Sequence, residues 1–324
     1  MIQLFFSSIA ITFIYFCARN FDKIDMNSFL KKLYPIEIIT ILWIILTGIY
    51  ILIFKSSVRH ISAESLLLAR LTVMIVLIAT ILLDKFSNGL FWKYFRQIVP
   101  LVLIIYWYSE TYYYNQLFLT CIDPWLIAAD QWLFGCQPST LFSEWMPQPW
   151  FNELMNFSYM SYYIAIFSII LYYLSTEPEK AFNFAFVVLN SFFVYYLFFI
   201  FLPSEGPQFF VCSQHNVLPV EGVMRKFLLM IQFLGEKPTG AFPSSHVGVM
   251  TIYMIFLWKH CRPFYRILFV FSILLALSTV YIKAHYVIDM IFGFITAYPI
   301  YLFSEFMWKK MNIFSLDNKA LYKS

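Results

Sequence analysis

Charge is what this chain has least of. Only 12% of its 324 residues are charged, about half the share found in an ordinary soluble domain, and 61% are hydrophobic. The deficit excludes a soluble globular class and points to an integral membrane protein. The net charge of +4 is scattered in short clusters, which reads as membrane topology and argues against a nucleic-acid partner. There is no Gly/Ser linker, no low-complexity block, no long disordered tail and no internal repeat. The five cysteines, Cys17, Cys121, Cys136, Cys212 and Cys261, are odd in number and lack metal-ligand spacing, so neither zinc nor any other metal is expected. What the chain has in excess is aromatic side chains, 22% of residues with 38 Phe and 23 Tyr, which suit membrane interfaces and the spaces between helices.

A spanning helix needs about 20 mostly apolar residues. Apolar runs of that order predict nine spans: Ile2 to Ala18, Tyr34 to Phe54, Leu66 to Leu83, Ile98 to about Tyr114, Met155 to Leu174, Ala181 to Leu202, Ser244 to Trp258, Phe264 to Ile282, and His285 to Phe303. The first lacks a basic start and a small-residue cleavage site, which argues against a cleaved signal peptide. The fourth is interrupted by Glu110, and a basic connector is expected over 84–97. Residues 115–154 carry acids, Trp and Pro but no Lys or Arg, and read as short amphipathic helices lying in the interface. A long loop is expected over 203–243. Together these predict an all-α, polytopic transmembrane helix bundle. Residues 1–97 form an N-terminal extension of about three spans, 98–303 a six-helix membrane core, and 304–324 a tail.

The basic residues divide unevenly. Of the 22 Lys and Arg, fifteen fall on one set of loops and the ends of the chain that share their side, six on the opposite face, and Arg70 inside a span. Lys and Arg collect on the cytoplasmic side. The seventh and ninth spans therefore open on the non-cytoplasmic face, and the C-terminus is cytoplasmic.

Those two openings carry the chemistry. Gly240-Ala241-Phe242-Pro243-Ser244-Ser245-His246 precedes the seventh span, and Lys283-Ala284-His285-Tyr286-Val287-Ile288-Asp289 opens the ninth. Two crossings separate the histidines, so both lie on one membrane face. Residues i and i+4 share a helix face, which brings Asp289 within reach of His285. An orienting carboxylate fixes the imidazole tautomer and leaves the far nitrogen free to attack, and a second histidine can serve as acid. A histidine at a membrane boundary is also an ordinary interfacial residue. A His–Asp pair is the more telling pattern, because ionisable groups in membrane helices are costly and usually functional.

These stretches resemble the second and third signature motifs of the phosphatidic-acid phosphatase type 2 superfamily. The second reads P-S-G-H there and Pro243-Ser244-Ser245-His246 here. The third reads S-R, five residues, H, three residues, D; Ser278-Thr279, five residues, His285, three residues and Asp289 keep that spacing, with Thr279 in the arginine's place. The first motif, K-x-x-x-x-x-x-R-P, is absent. The H-Y-x-x-D form of the last motif (His285-Tyr286 to Asp289) is similar to inositol phosphorylceramide synthases and their relatives. So are Asp123 to Pro138 with its Asp130 to Gly135 core, Asn152 to Tyr163, and Leu202-Pro203-Ser204-Glu205-Gly206-Pro207. The resemblance implies a phosphohistidine formed on His285, with Asp289 orienting it and His246 as acid and then base. It also implies phosphate contacts at Ser244, Ser245 and the first turn they open, with Lys283 and Tyr286 as further substrate-binding residues and no cofactor. With Thr279 replacing Arg, Lys283, Arg225, Lys226 and Lys237 are the candidate cations, although a lysine at a helix end also snorkels.

The resemblance implies a lipid phosphoryl transferase of the phosphoinositol type, with a lipid phosphate donor and a lipid or alcohol acceptor as partners. A lipid phosphate phosphatase is the alternative, and a transporter without catalysis a third. Asp123 and Asp130, seven residues apart on one helix face, read as a solvated polar face, with head-group binding as the alternative. Glu205 and His215 read as loop residues, His60 and His260 as surface residues, and Tyr112-Tyr113-Tyr114 as an interfacial belt. Cys121, Cys136 and Cys212 share the outer face, where one disulfide is conceivable. Glu37 and Arg70 are expected to pair between spans.

Overall fold

The computed structural model of the protein describes residues 33–87, 89–211 and 222–314. The predicted first span, His215, Cys17, Cys212 and the tail beyond 314 lie outside these. Among the described residues every regular element is a helix. In chain order they are α1 (Pro35–Ile53), α2 (Ala63–Ser87), α3 (Leu90–Val102), α4 (Ile104–Thr111), α5 (Asp123–Phe134), α6 (Pro138–Trp145), α7 (Pro149–Thr176), α8 (Pro178–Phe201), the single turn α9 (Pro207–Phe210), α10 (Val223–Gly235), α11 (Ser245–His260), α12 (Arg262–Tyr281) and α13 (Val287–Phe314). Segments of α1, α2, α7, α8, α12 and α13 are long and apolar enough to cross a membrane, so the chain is an all-α polytopic membrane bundle.

Proline sets many of the starts. Pro124, Pro138, Pro149, Pro178, Pro207 and Pro263 each stand in the first two positions of a helix, where no intrahelical N–H bond is lost and the fixed φ suits the turn. α5 ends on Gly135 in the left-handed conformation, φ 68°, a geometry that costs glycine little.

The described residues form two compact units. The smaller takes in residues 33–53, 62–100 and 307–314. Within it α1 packs on α2, and Glu37 accepts two hydrogen bonds from Arg96, at 2.8 and 2.7 Å. Arg96 also reaches Asp84 at 2.6 Å and lies over the Tyr34 ring. The expected Glu37–Arg70 pair is therefore corrected: Arg70 donates to the Thr47 hydroxyl and the Leu66 carbonyl. Arg96 was assigned to a connector, but α2 runs to Ser87 and α3 begins at Leu90, which places the guanidinium on a helix.

The larger unit takes in residues 54–61 and 101–306. Here α8 is the central element. Phe184, Ala185, Phe186, Val187, Val188 and Leu189 are all fully buried, as expected of a helix apolar on every side and surrounded by others. It packs against α4, α7 and α11, while α12 packs against α6, α7 and α11. Lipid is as apolar as leucine, so close contact rather than water exclusion holds such helices together. Gly248 of α11 and Gly293 of α13 show what closeness requires. A Cβ on Gly248 would collide with the Tyr195 hydroxyl, and one on Gly293 would sit 2.6 Å from the Ser244 carbonyl oxygen.

Two further readings change with the fold. Glu110, which seemed to interrupt a span, is buried and accepts from the Tyr106 and Tyr114 hydroxyls at 2.6 and 3.2 Å. Tyr114 is fully buried and so belongs to the core rather than to an interfacial belt. The predicted helices of 115–154 are present as α5 and α6, and the loop over 203–243 contains α9 and α10.

Candidate active site

The two histidine segments meet. Ser244 caps α11: its backbone is extended, and its hydroxyl accepts from Val247 N–H at 3.4 Å. A short polar side chain is what this position favours. Its own N–H donates to the Asp289 carbonyl at 3.0 Å, tying the start of α11 to the first turn of α13. Ser245 and His246 follow in the first turn, where backbone N–H groups lack intrahelical acceptors. Ser244 is fully buried and Ser245 nearly so, and the Ser244 hydroxyl is engaged as the cap.

His285 stands just before α13. Its N–H donates to the Thr279 carbonyl at 3.1 Å, so Thr279, the residue in the family arginine's place, holds the histidine's backbone. The Thr279 hydroxyl donates to the Ala276 carbonyl at 2.7 Å. His285 Nδ1 lies 2.7 Å from the Ala241 carbonyl oxygen and 3.6 Å from Asp289 Oδ2. The nearer orienting group is thus a backbone carbonyl, with the expected carboxylate behind it. Asp289 Oδ2 accepts from Tyr286 N–H at 2.8 Å, the return arm of a helix cap, while Asp289 Oδ1 is buried with no hydrogen-bond partner among the described residues.

Three contacts fix the protons. A carbonyl only accepts, so His285 Nδ1 carries hydrogen and its Nε2 is the bare nitrogen. Nε2 lies 3.3 Å from His246 Nδ1, which must therefore donate. His246 Nε2 is then bare and accepts from the Tyr159 hydroxyl at 2.9 Å. One chain of hydrogen bonds runs from Tyr159 through both imidazoles to Ala241, every donor pointing the same way. Burial pushes His285 down to about 4, against smaller upward pulls from the Ala241 carbonyl and Glu236, so at neutral pH the ring is uncharged and its Nε2 lone pair available.

The surroundings are built by acids that the sequence placed on a solvated face. Asp123 and Asp130 are fully buried, which corrects that reading. Asp130 accepts from the N–H groups of Val287 and Ile288, each at 2.9 Å, and so caps α13 from another helix. Asp123 accepts from Glu205 and Gly206 N–H groups at 2.8 Å, from the Tyr286 hydroxyl at 3.0 Å and from the Cys121 thiol. Tyr286 is therefore fully buried against Asp123. Cys121 and Cys136 are free thiols. Gly206, at φ 86°, leaves a Cβ only 2.7 Å from the Ala284 carbonyl oxygen, beside the nucleophile loop.

Of the candidate cations, Lys283 is buried, at 4% exposure, and has a left-handed backbone, φ 67°. Its carbonyl accepts from Gln208 N–H at 2.9 Å. Arg225, in the first turn of α10, is half-buried and Lys226 exposed. That turn is capped by Glu153, which accepts from Met224 and Arg225 N–H groups at 3.0 and 3.1 Å. Arg225 acts electrostatically on Glu236, which in turn acts on His285. Glu236 accepts from the Gln208 side chain, and burial pushes its carboxyl above the usual range. Tyr159 falls within the Asn152 to Tyr163 stretch that carries part of the resemblance, but nothing there singles it out from its neighbours, and Glu236, a loop acid, carries no local signature. No cluster of His, Cys, Asp and Glu suited to a metal ion occurs among the described residues.

The fold is a polytopic helical membrane bundle that brings two histidines into contact at the mouths of neighbouring helices. The chain belongs to the PAP2 superfamily, whose family model matches residues 124–303, more than half of its length. Members are phosphatases or phosphotransferases, and this chain is an enzyme of that general type. No curated protein and no solved structure matches it.

Proposed function

We propose that the protein is an integral-membrane transferase that moves a phosphoinositol-type group from a phospholipid to the hydroxyl of a ceramide-like lipid through a phosphohistidine. The observation that carries this reading is the contact between His285 Nε2 and His246 Nδ1, because a phosphoryl group entering between them meets a nucleophile on one side and a proton donor on the other. The Nε2 lone pair of His285 forms the N–P bond. The P–O bond to the leaving alcohol breaks with its electron pair on oxygen, and that oxygen takes the Nδ1 proton of His246, which binds a second proton from solvent as the negatively charged diester enters beside it. In the second half, the acceptor hydroxyl gives its proton to His246 Nδ1, its oxygen bonds to phosphorus, and the N–P pair returns to His285. Asp289, 3.6 Å from Nδ1, balances the charge on the phosphorylated ring. Ser245, the first turn of α11, Lys283 and Arg225 supply the positive field around the phosphoryl oxygens.

Transfer is preferred to hydrolysis because the first motif is missing and Thr279 stands where the phosphatase pattern has arginine, and the H-Y-x-x-D form supports the synthase branch. The distribution of Lys and Arg supports a site on the non-cytoplasmic face. The test is a product assay on purified protein with a phosphoinositol-bearing phospholipid, with and without ceramide. Ceramide-dependent formation of a new phospholipid is expected, with turnover falling at least about a thousandfold in His285→Ala. Release of inositol phosphate or free phosphate regardless of ceramide would make it a hydrolase. Retained turnover in His285→Ala would sink the mechanism.

A further inference from the structure

The two histidines are held by chemically different partners. His285 Nδ1 faces a carbonyl oxygen, which can only accept. His246 Nε2 faces a hydroxyl, that of Tyr159, which can donate or accept. The Tyr159 ring lies 4.7 Å from the His246 ring, and that of Tyr162 at 5.1 Å closes another side. Tyr159 is itself buried, at 4% exposure, so its hydroxyl has little water to turn to.

The difference matches the two tasks. A nucleophile needs one tautomer throughout, and an acceptor-only partner enforces it. An acid that becomes a base must carry two protonation states in one place. In the resting chain of bonds His246 Nε2 is bare and Tyr159 donates to it. Once His246 is charged, both its nitrogens carry hydrogen, and the phenol oxygen must accept. After the Nδ1 proton has gone to the leaving oxygen, the ring is neutral with hydrogen on Nε2, still held by the same oxygen, and Nδ1 is bare and aimed at the acceptor hydroxyl. A carboxylate or carbonyl at this place would hold only the Nε2–H forms.

We infer that Tyr159 is a positioning residue for His246 in both half-reactions, its hydroxyl reversing from donor to acceptor as the imidazole takes up charge. The inference rests on the proposed transfer through His285 and adds to it a residue outside the family's histidine motifs.

The test separates proton donation from folding by changing the leaving group. Wild type, Tyr159→Phe, Tyr162→Phe and His285→Ala are assayed on two diesters that share the phosphoinositol group, one leaving as diacylglycerol and one as p-nitrophenolate. An alkoxide needs the proton and p-nitrophenolate does not. General acid catalysis is worth about 100-fold or more, so in the first turnover, before the second half-reaction that both esters share, Tyr159→Phe should release the leaving group about tenfold or more slowly from the lipid and less than about threefold more slowly from the aryl ester. Tyr162→Phe, which keeps its ring against His246, should give no such split. Equal losses on both esters in Tyr159→Phe, no loss on either, or the same split in Tyr162→Phe would overturn the inference while leaving His285 in its role. Turnover by His285→Ala, or none by wild type on either ester, would overturn the proposed function and this inference with it.

Discussion

His285 concentrates the residue-scale argument. Its ring is buried at 3% exposure, bonded to one carbonyl and faced by one imidazole, and burial moves it down to about 4. The unfolded chain takes up that proton near the ordinary value of about 6.5. Between these two values the unfolded state binds more protons than the folded one, so this residue makes stability rise with pH through that window and withholds the most below it. Glu236 pulls the other way, since a carboxyl raised by burial makes stability fall as pH passes from its ordinary value to its folded one. Comparing wild type with His285→Ala isolates the histidine. The thermal midpoint in detergent should climb less steeply from pH 4 to 6.5 in the variant; parallel slopes would show that His285 keeps an ordinary affinity for protons. The histidines were legible in the sequence because they stand in short, spaced motifs. Their proton arrangement was not, because Ala241 acts through its carbonyl, which every residue has, and Tyr159 lies 87 positions from His246.

At the scale of elements, helix starts are capped by distant acids. Asp130 of α5 serves α13, and Glu153 of α7 serves α10. Periodicity correctly put Asp123 and Asp130 on one face of a helix, but burial of that face depends on what packs there, and no local pattern encodes it. Asp130→Ala should leave the N–H groups of Val287 and Ile288 unpaired beside the nucleophile. A cap of this kind is worth about 1 kcal/mol, with more at stake when the groups are buried, so a lower thermal midpoint and a fall in kcat are expected together. Asp130→Asn, which keeps one acceptor oxygen, should lose less of both. Unchanged stability in Asp130→Ala would mean that α13 finds another cap.

At the scale of the whole molecule, the membrane class followed from composition alone. Helix boundaries followed less well: a 25-residue α2 and a 28-residue α7 outrun the apolar stretches that announced them, because backbone hydrogen bonding continues past the last apolar residue. The break between α3 and α4 falls just after Pro100, within a stretch read as one span. Sidedness is a separate matter, resting on the uneven division of Lys and Arg. A protease-cleavable tag on the C-terminus should be cut in inside-out vesicles and protected in right-side-out ones. The opposite pattern would place the histidines on the cytoplasmic face.

Asp123 carries a consequence for how such a chain can drift. One carboxylate answers to the backbone of Glu205 and Gly206, the phenol of Tyr286 and the thiol of Cys121. Asparagine there would turn an amide donor toward groups that are themselves donors. Substitution at 123 and at 286 should therefore be correlated among relatives: lineages that lose the acid should also lose the tyrosine hydroxyl, whereas Cys121, whose thiol is a weak donor, is free to vary alone.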